Sequence, residues 1–354
     1  MKQLNVKIED IESILSEKLG CKVQAVESMG GGRNSKVYCV SCEDSVKYAV
    51  KYYFPTGLSD NRNRMNVEFN SLLFLWKNGE RCIPRTVIAD TISNCAVYEF
   101  IEGRKISSED IDNPEIDSAV HFLARLNGIG KRNFNQPIPA ASEACFSPQD
   151  IVKAIDSRLD RLSVHRENNS QYQSLHDFLT KDFRISFNEI KNWCRSELHE
   201  SAMDFASSID ITQYTLSPSD FGFHNSLRRK DNNIIFLDFE YFGWDDPAKM
   251  IADFLLHPAV DLHERLRHQF FTHIIRKFKD DNGIKRRVKV IYPLLGLNWC
   301  LILLNEFVPG FLLRRNFAYK DNINRAKMQN EQLIKSRKML TKIEKNYERF
   351  PYDE

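Results

Sequence analysis

Ile8, Ile11, Ile14, Leu15 and Leu19 recur at helical spacing near the start of the chain, and Gly20 follows as a residue able to end a helix in the left-handed conformation. The period then changes. Residues around 22–28, 36–41 and 48–51 read as strands with turn residues between them. From Arg64 to Lys77 the helical period returns, with Val67, Ser71 and Phe74 on one stripe and Leu72, Leu75 and Trp76 beside it. Between Pro137 and Tyr214 the pattern is nearly all helical, and Ile151, Ile155, Leu159 and Leu162 form a packing stripe. Ile234-Ile235-Phe236-Leu237 is a short apolar strand. Tyr292 to Leu304 is the most apolar stretch, interrupted by Asn298 and Trp299 and closed by Asn305 and Glu306, which predicts a core helix. No apolar run of about 18 residues suggests a membrane span. Strands first and helices after predict an α+β chain, with no internal repeat or low-complexity tract.

Three polar positions change this picture. Asp220 is followed five residues later by Asn225, and Asp238 closes the strand that comes next. This is the spacing of the catalytic and metal loops of a kinase, in which one carboxylate takes or orients a hydroxyl proton while an amide oxygen and a second carboxylate hold magnesium. Upstream, Gly30-Gly31-Gly32-Arg33-Asn34-Ser35-Lys36-Val37 fits a phosphate-binding glycine turn with Ser35 in place of the last glycine. Tyr48-Ala49-Val50-Lys51 ends in a lysine placed to contact the α and β phosphates, and Glu68 sits in the first half of the following helix, where it can pair with that lysine. Each signal alone has a bland reading: a hairpin, an edge lysine, a solvated glutamate, a turn. Their order and spacing together favour the chemistry.

From about Val23 to at least Pro258 the chain resembles the aminoglycoside phosphotransferase and choline kinase group. The resemblance implies a two-lobed, protein-kinase-like fold with a small antiparallel β-sheet lobe and a mostly helical lobe. It implies ATP and Mg2+ as cofactors and a small-molecule acceptor. Val97 to Gly103 resembles the hinge, where backbone groups at Glu99 and Ile101 would meet the adenine edge. Phe122 to Asn127 resembles the next helix, with Asn127 where the group usually has histidine. Leu237-Asp238-Phe239-Glu240-Tyr241 resembles the metal loop of choline kinases and makes Glu240 a further metal neighbour beside Asn225 and Asp238. Asp245-Asp246-Pro247 with Ala252-Asp253-Phe254 resembles the segment that buttresses the catalytic loop. Pro218 stands where the group normally carries a scaffold histidine. The expected division is a nucleotide-binding lobe over 1–103 and a helical lobe over 104–354 that carries both loops and the acceptor site.

Composition sets outer bounds. The 354 residues carry a net charge of +2 and 42% hydrophobic residues, an ordinary globular balance with no global attraction to nucleic acid or membrane. The eight cysteines are scattered, and Cys39 and Cys42, the only close pair, should point to opposite strand faces. Reduced thiols and an amino terminus without a signal-peptide core predict a cytoplasmic protein. His257, His263, His268 and His273 have no metal-ligand order and are expected to be structural or exposed.

The acceptor is the least specified part. Residues 311–354 hold eleven Lys and Arg against six Asp and Glu. That balance favours a neutral or anionic acceptor, should Arg314, Arg315 or Arg325 face it, although Asp156, Asp160 and Glu306 could still converge on a cation. The expected function is ATP-dependent phosphorylation of a hydroxyl on a sugar, amino alcohol or related metabolite. The alternatives are an aminoglycoside-modifying enzyme and a non-catalytic nucleotide-binding relative. The stretch from Phe242 to Lys249 is too short for a protein-kinase activation loop.

Overall fold

In the computed structural model the opening apolar stripe forms helix α1 (Ile8–Leu19), which buries Ile11, Ile14 and Leu15. Gly20 ends it at φ +64°, with its N–H on the Ser16 carbonyl, a conformation that costs a glycine little. Strands β1 (Val23–Met29), β2 (Ser35–Cys42) and β3 (Lys47–Tyr53) follow, then helix α2 (Arg64–Lys77) and strands β4 (Thr86–Asp90), β5 (Cys95–Glu99) and β6 (Gly103–Lys105). Next come α3 (Asn113–Arg132), α4 (Pro148–Val164), α5 (Ser170–Asp177), a π-helical turn at Phe178–Phe183, and α6 (Arg184–His199). The remainder is β7 (Thr215–Ser217), β8 (Ser226–Arg229), β9 (Ile234–Phe236), β10 (Gly243–Asp245), α7 (Pro247–Leu256), α8 (Glu264–Lys277), α9 (Ile284–Leu303), α10 (Pro309–Ala318) and α11 (Arg325–Asn346). The structure describes residues 8–30, 34–55, 57, 62–165, 167–199, 204–259, 261–318 and 324–352.

The chain divides into two compact units. The first comprises Met1–Lys105, Asn225–Tyr241 and Gly310–Ile323, and the second Ile106–His224, Phe242–Pro309 and Asn324–Glu354. A single cut at the hinge near Gly103 therefore does not describe the chain, because two later segments return to the first unit.

The first unit is built on an antiparallel sheet in the order β1-β2-β3-β5-β4, with a smaller sheet β6-β8-β9. The main sheet and α1 enclose a core that includes Leu15, Val40, Val50, Tyr52 and Val97. Phe317 of α10 joins that core and meets Phe54 edge-on at 5.7 Å. Cys21 and Cys42 form a disulfide here, which corrects the expectation of eight free thiols. They are 21 residues apart in sequence, but the β1–β2 register sets Val23 opposite Cys42, and their Cα atoms lie 6.0 Å apart. Among the described residues the remaining six cysteines are free.

In the second unit α9 packs against α4, α6, α7 and α11. Ile284–Phe307 is long and apolar enough to cross a membrane by length and composition, contrary to the sequence expectation, yet most of it is buried inside the unit. A helix surrounded by other helices is apolar on every side. The predicted helical run between 137 and 214 is also interrupted. Residues 137–147 have no helix, because Pro137 and Pro139 lack N–H donors and the neighbouring backbone pairs with β10: Trp244 N–H bonds to Pro139 C=O and Ala141 N–H to Trp244 C=O, both at 2.9 Å. Helix resumes at Pro148, capped by the Ser147 side chain.

Candidate active site

Lys51, on β3, is buried within the first unit. Its Nζ lies 2.6 Å from Glu68 Oε2 and 2.8 Å from Asp238 Oδ1, with Glu240 Oε2 at 4.0 Å. Glu68 reaches it because the buried face of α2 runs through Met65, Glu68, Ser71, Leu72 and Leu75. Val67 and Phe74, which the spacing sets on one stripe with Ser71, are only half-buried. The Glu68 carboxylate also accepts the Tyr53 hydroxyl at 2.8 Å and the Phe239 N–H at 3.4 Å, and Tyr53 and Tyr98 share a hydroxyl contact of 2.7 Å.

Behind this pair, Glu240 is buried and ion-paired with Arg64, the first residue of α2, and accepts the Asn34 amide at 2.9 Å. Glu68, Asp238 and Glu240 thus surround Lys51 and Arg64, three carboxylates against two cations. With all three ionised, one negative charge is in excess. Burial disfavours the Lys51 ammonium, but Asp238 and Glu68 outweigh it and hold the group well above its usual range. Burial pushes Glu68 up to about 7 against the opposing pull of Lys51, and burial with the neighbouring Asp238 raises Glu240. The ammonium is served by several carboxylates, while each carboxylate shares one ammonium. Such a donor set suits a divalent cation: the three carboxylates could hold a metal ion together.

Asn225 and Asp238 flank the same end of the β8–β9 hairpin, where the Leu237 N–H donates to the Asn225 carbonyl at 2.8 Å. Asp238 takes φ +66°, the left-handed region that non-glycine residues seldom occupy. The chain thus leaves β9 in a sharp turn at the residue whose carboxylate reaches Lys51.

In the main sheet, Gly30 follows β1 and Ser35 opens β2 as a buried residue opposite Tyr53 of β3. Gly31 and Gly32 lie outside the described residues. Glu99 ends β5, donates its N–H to the Arg85 carbonyl at 2.8 Å, and receives Arg229 on its side chain at 2.8 Å, while Ile101 is buried. Its carbonyl is then the backbone group at Glu99 that could accept from an adenine edge.

Asp220 belongs to the second unit. Ser219, at φ +68°, is the centre of a three-residue turn closed by the Asp220 N–H on the Pro218 carbonyl at 2.9 Å. Asp220 Oδ1 lies 3.1 Å from His224 Nε2 and 2.9 Å from His257 Nε2. Burial would raise the Asp220 pKa, but these two hydrogen bonds outweigh it and keep the carboxyl well below the usual range. Below β10, Lys249 joins Asp245 at 3.0 Å and Asp253 at 2.8 Å, all three buried, and Asp245 also accepts the Cys145 N–H.

His224, His257, Arg64, Asn34 and Tyr53 were not anticipated. His257, expected to be merely structural or exposed, meets Asp220 across 37 residues of sequence. His224 was legible only as the neighbour of Asn225. His263 caps α8 and His273 pairs with Asp117.

No family model and no curated protein matches the sequence. Solved structures do match in fold. An ethanolamine kinase from Plasmodium vivax is 18% identical, with 92% of this chain and 86% of that one covered at a TM-score of 0.58. The choline kinase LicA from Streptococcus pneumoniae is 16% identical over 94% of this chain and 98% of that one, at 0.59. A spectinomycin phosphotransferase solved with ADP and spectinomycin is 12% identical over 93% and 99%, at 0.59. The chain therefore has the α+β, protein-kinase-like fold shared by choline and ethanolamine kinases and aminoglycoside phosphotransferases.

Proposed function

We propose that this protein transfers the γ-phosphoryl group of ATP to a hydroxyl of a small molecule such as a sugar, an amino alcohol or a related metabolite. The observation that carries this reading is the Lys51 cluster, in which a strand lysine is held between a helix glutamate and the carboxylate that follows β9. A buried ammonium held well above its usual range stays charged at neutral pH and can meet the α and β phosphates. Gly30 and Ser35 would contribute backbone to the phosphate turn that the sequence places over Gly30 to Ser35, and Glu99 and Ile101 would meet the adenine edge. Glu68 fixes Lys51.

In the transfer, the acceptor oxygen bonds to the γ-phosphorus, the bond from that phosphorus to the β–γ bridging oxygen breaks, and ADP leaves. Asp220, which its depressed pKa keeps ionised at neutral pH, orients the acceptor hydroxyl and receives its proton as the bond to phosphorus forms. Asn225 and Asp238 would hold Mg2+, with Glu240 as a neighbour already engaged by Arg64. Bound there, the ion neutralises charge on the phosphates. ATP as donor fits a cytoplasmic site of action.

Two of the basic carboxy-terminal residues are already engaged within their own units. Arg325 is paired with Glu167 at 2.7 Å and bonded to Tyr172, and Arg314 is buried over the Phe311 ring in α10, which belongs to the first unit. Asp156 and Asp160 lie on the exposed face of α4, while the third carboxylate, Glu306, is buried apart from solvent. These placements support a neutral, hydroxylated acceptor. ADP release should be measured with MgATP against sugars, amino alcohols, sugar phosphates and aminoglycosides. Acceptor-dependent turnover is expected with one class. Binding of MgATP with no turnover on any acceptor would favour the non-catalytic alternative.

A further inference from the structure

We propose that His257, together with His224, is a positioning residue that clamps the Asp220 carboxylate and so takes over the scaffolding role left open by Pro218. This rests on the assignment of Asp220 as the proton acceptor. Both imidazoles address one oxygen, Oδ1, through Nε2 at 2.9 and 3.1 Å, and their rings are stacked with centroids 4.0 Å apart and planes 13° from parallel. Two donors on one oxygen restrict rotation of the carboxylate about its Cβ–Cγ bond, so that it meets an acceptor hydroxyl in one orientation.

The tautomers follow from the other ring nitrogens. His257 Nδ1 accepts the Ala259 N–H at 3.2 Å, so its lone pair is there and the proton is on Nε2, which donates to Asp220. His224 Nδ1 is buried and has no partner among the described residues. A buried N–H without an acceptor is rarer and costlier than a bare lone pair, so His224 also carries its proton on Nε2.

His257 is itself held. Trp299 meets its ring edge-on at 4.6 Å, and the indole N–H donates to Asp253 Oδ1 at 3.0 Å. The second oxygen of Asp253 takes Lys249, which continues to Asp245 at the end of β10. A contiguous set of packed and hydrogen-bonded groups therefore runs from Asp245 through Lys249, Asp253, Trp299 and His257 to Asp220. Pro218, with neither a donor nor an imidazole, provides none of this.

The test compares His257→Ala, His257→Gln and wild type. His257→Ala should lower kcat about 10- to 100-fold, the scale of a misplaced reacting group, while KM for ATP stays within about twofold. His257→Gln, which retains an N–H donor, should recover most of the loss. Unchanged kcat in His257→Ala, or no recovery in a folded His257→Gln variant, would overturn the proposal. A second readout needs no activity: nitrogen-detected NMR of the imidazoles in the wild-type protein should show Nε2–H at both rings, with resonances that move in Asp220→Asn. An Nδ1–H tautomer at His257 would overturn the clamp. Absence of turnover in wild type would instead count against the proposed function, leaving the NMR result to decide the clamp.

Discussion

Lys51 and Glu68 meet at 2.6 Å although they lie on a strand and a helix 17 residues apart, and both are buried. The ammonium is rigid because Asp238 binds it from a third segment. An uncompensated buried charge costs far more than a lost surface pair, so each partner constrains the other.

Glu68→Gln should therefore retain the fold but loosen Lys51. The expected result is a decrease in kcat/KM for ATP of about 10- to 100-fold, equivalent to about 1–3 kcal/mol for a hydrogen bond to a charged group. Steady-state kinetics and a thermal melt of the same preparation check it. A normal kcat/KM would show that Lys51 needs no such support.

Asp220→Ala should reduce kcat by about 10²- to 10⁴-fold, the usual contribution of a positioned acid–base group, with nucleotide affinity little changed. Turnover near wild type in that variant would remove Asp220 from the chemistry.

Asp238→Asn should weaken magnesium-dependent nucleotide binding, because it removes a charged hard oxygen ligand from a group of three carboxylates that could hold the ion together. Titration calorimetry with ATP, with and without magnesium, makes the comparison. Equal MgATP affinity in both proteins would contradict the assignment.

The buried Lys249 network predicts a pH signature. Lys249→Met leaves Asp245 and Asp253 without their cation and should cost about 3–5 kcal/mol at neutral pH. Burial already pushes Asp245 up to about 6 in spite of Lys249, so the folded state binds its proton more tightly than the unfolded chain. Stability from that proton is lost as pH rises through 6 and regained as pH falls below it. The variant's melting temperature should accordingly rise, relative to wild type, between pH 8 and pH 5. A deficit that stays constant over that range would exclude Asp245 as its source.

Gly243→Ala tests the contact that ends the irregular segment before α4. A Cβ at this position would fall 2.4 Å from both Ala141 N and Pro139 O, main-chain atoms that cannot step aside. A loss of at least about 1–3 kcal/mol is expected from overpacking, read as a shift in the denaturant midpoint.

Lys51, Glu68, Asp220, Asn225 and Asp238 were legible in the amino-acid sequence because each sits at a fixed offset from a turn, a strand end or a helix start, and local periodicity reports those offsets. Strands β1, β2, β3 and β9, α1 with its glycine cap, and α2 were legible for the same reason. Only the tertiary structure brought His257 and Trp299 to Asp220, joined Cys21 to Cys42, and returned α10 to the sheet near Phe54. Packing likewise left Val67 and Phe74 of α2 half-buried while Ser71, Leu72 and Leu75 turn inward. Contacts of this kind join residues far apart in the chain, and no local repeat of apolar and polar positions encodes which distant side chain will fill the space beside a carboxylate.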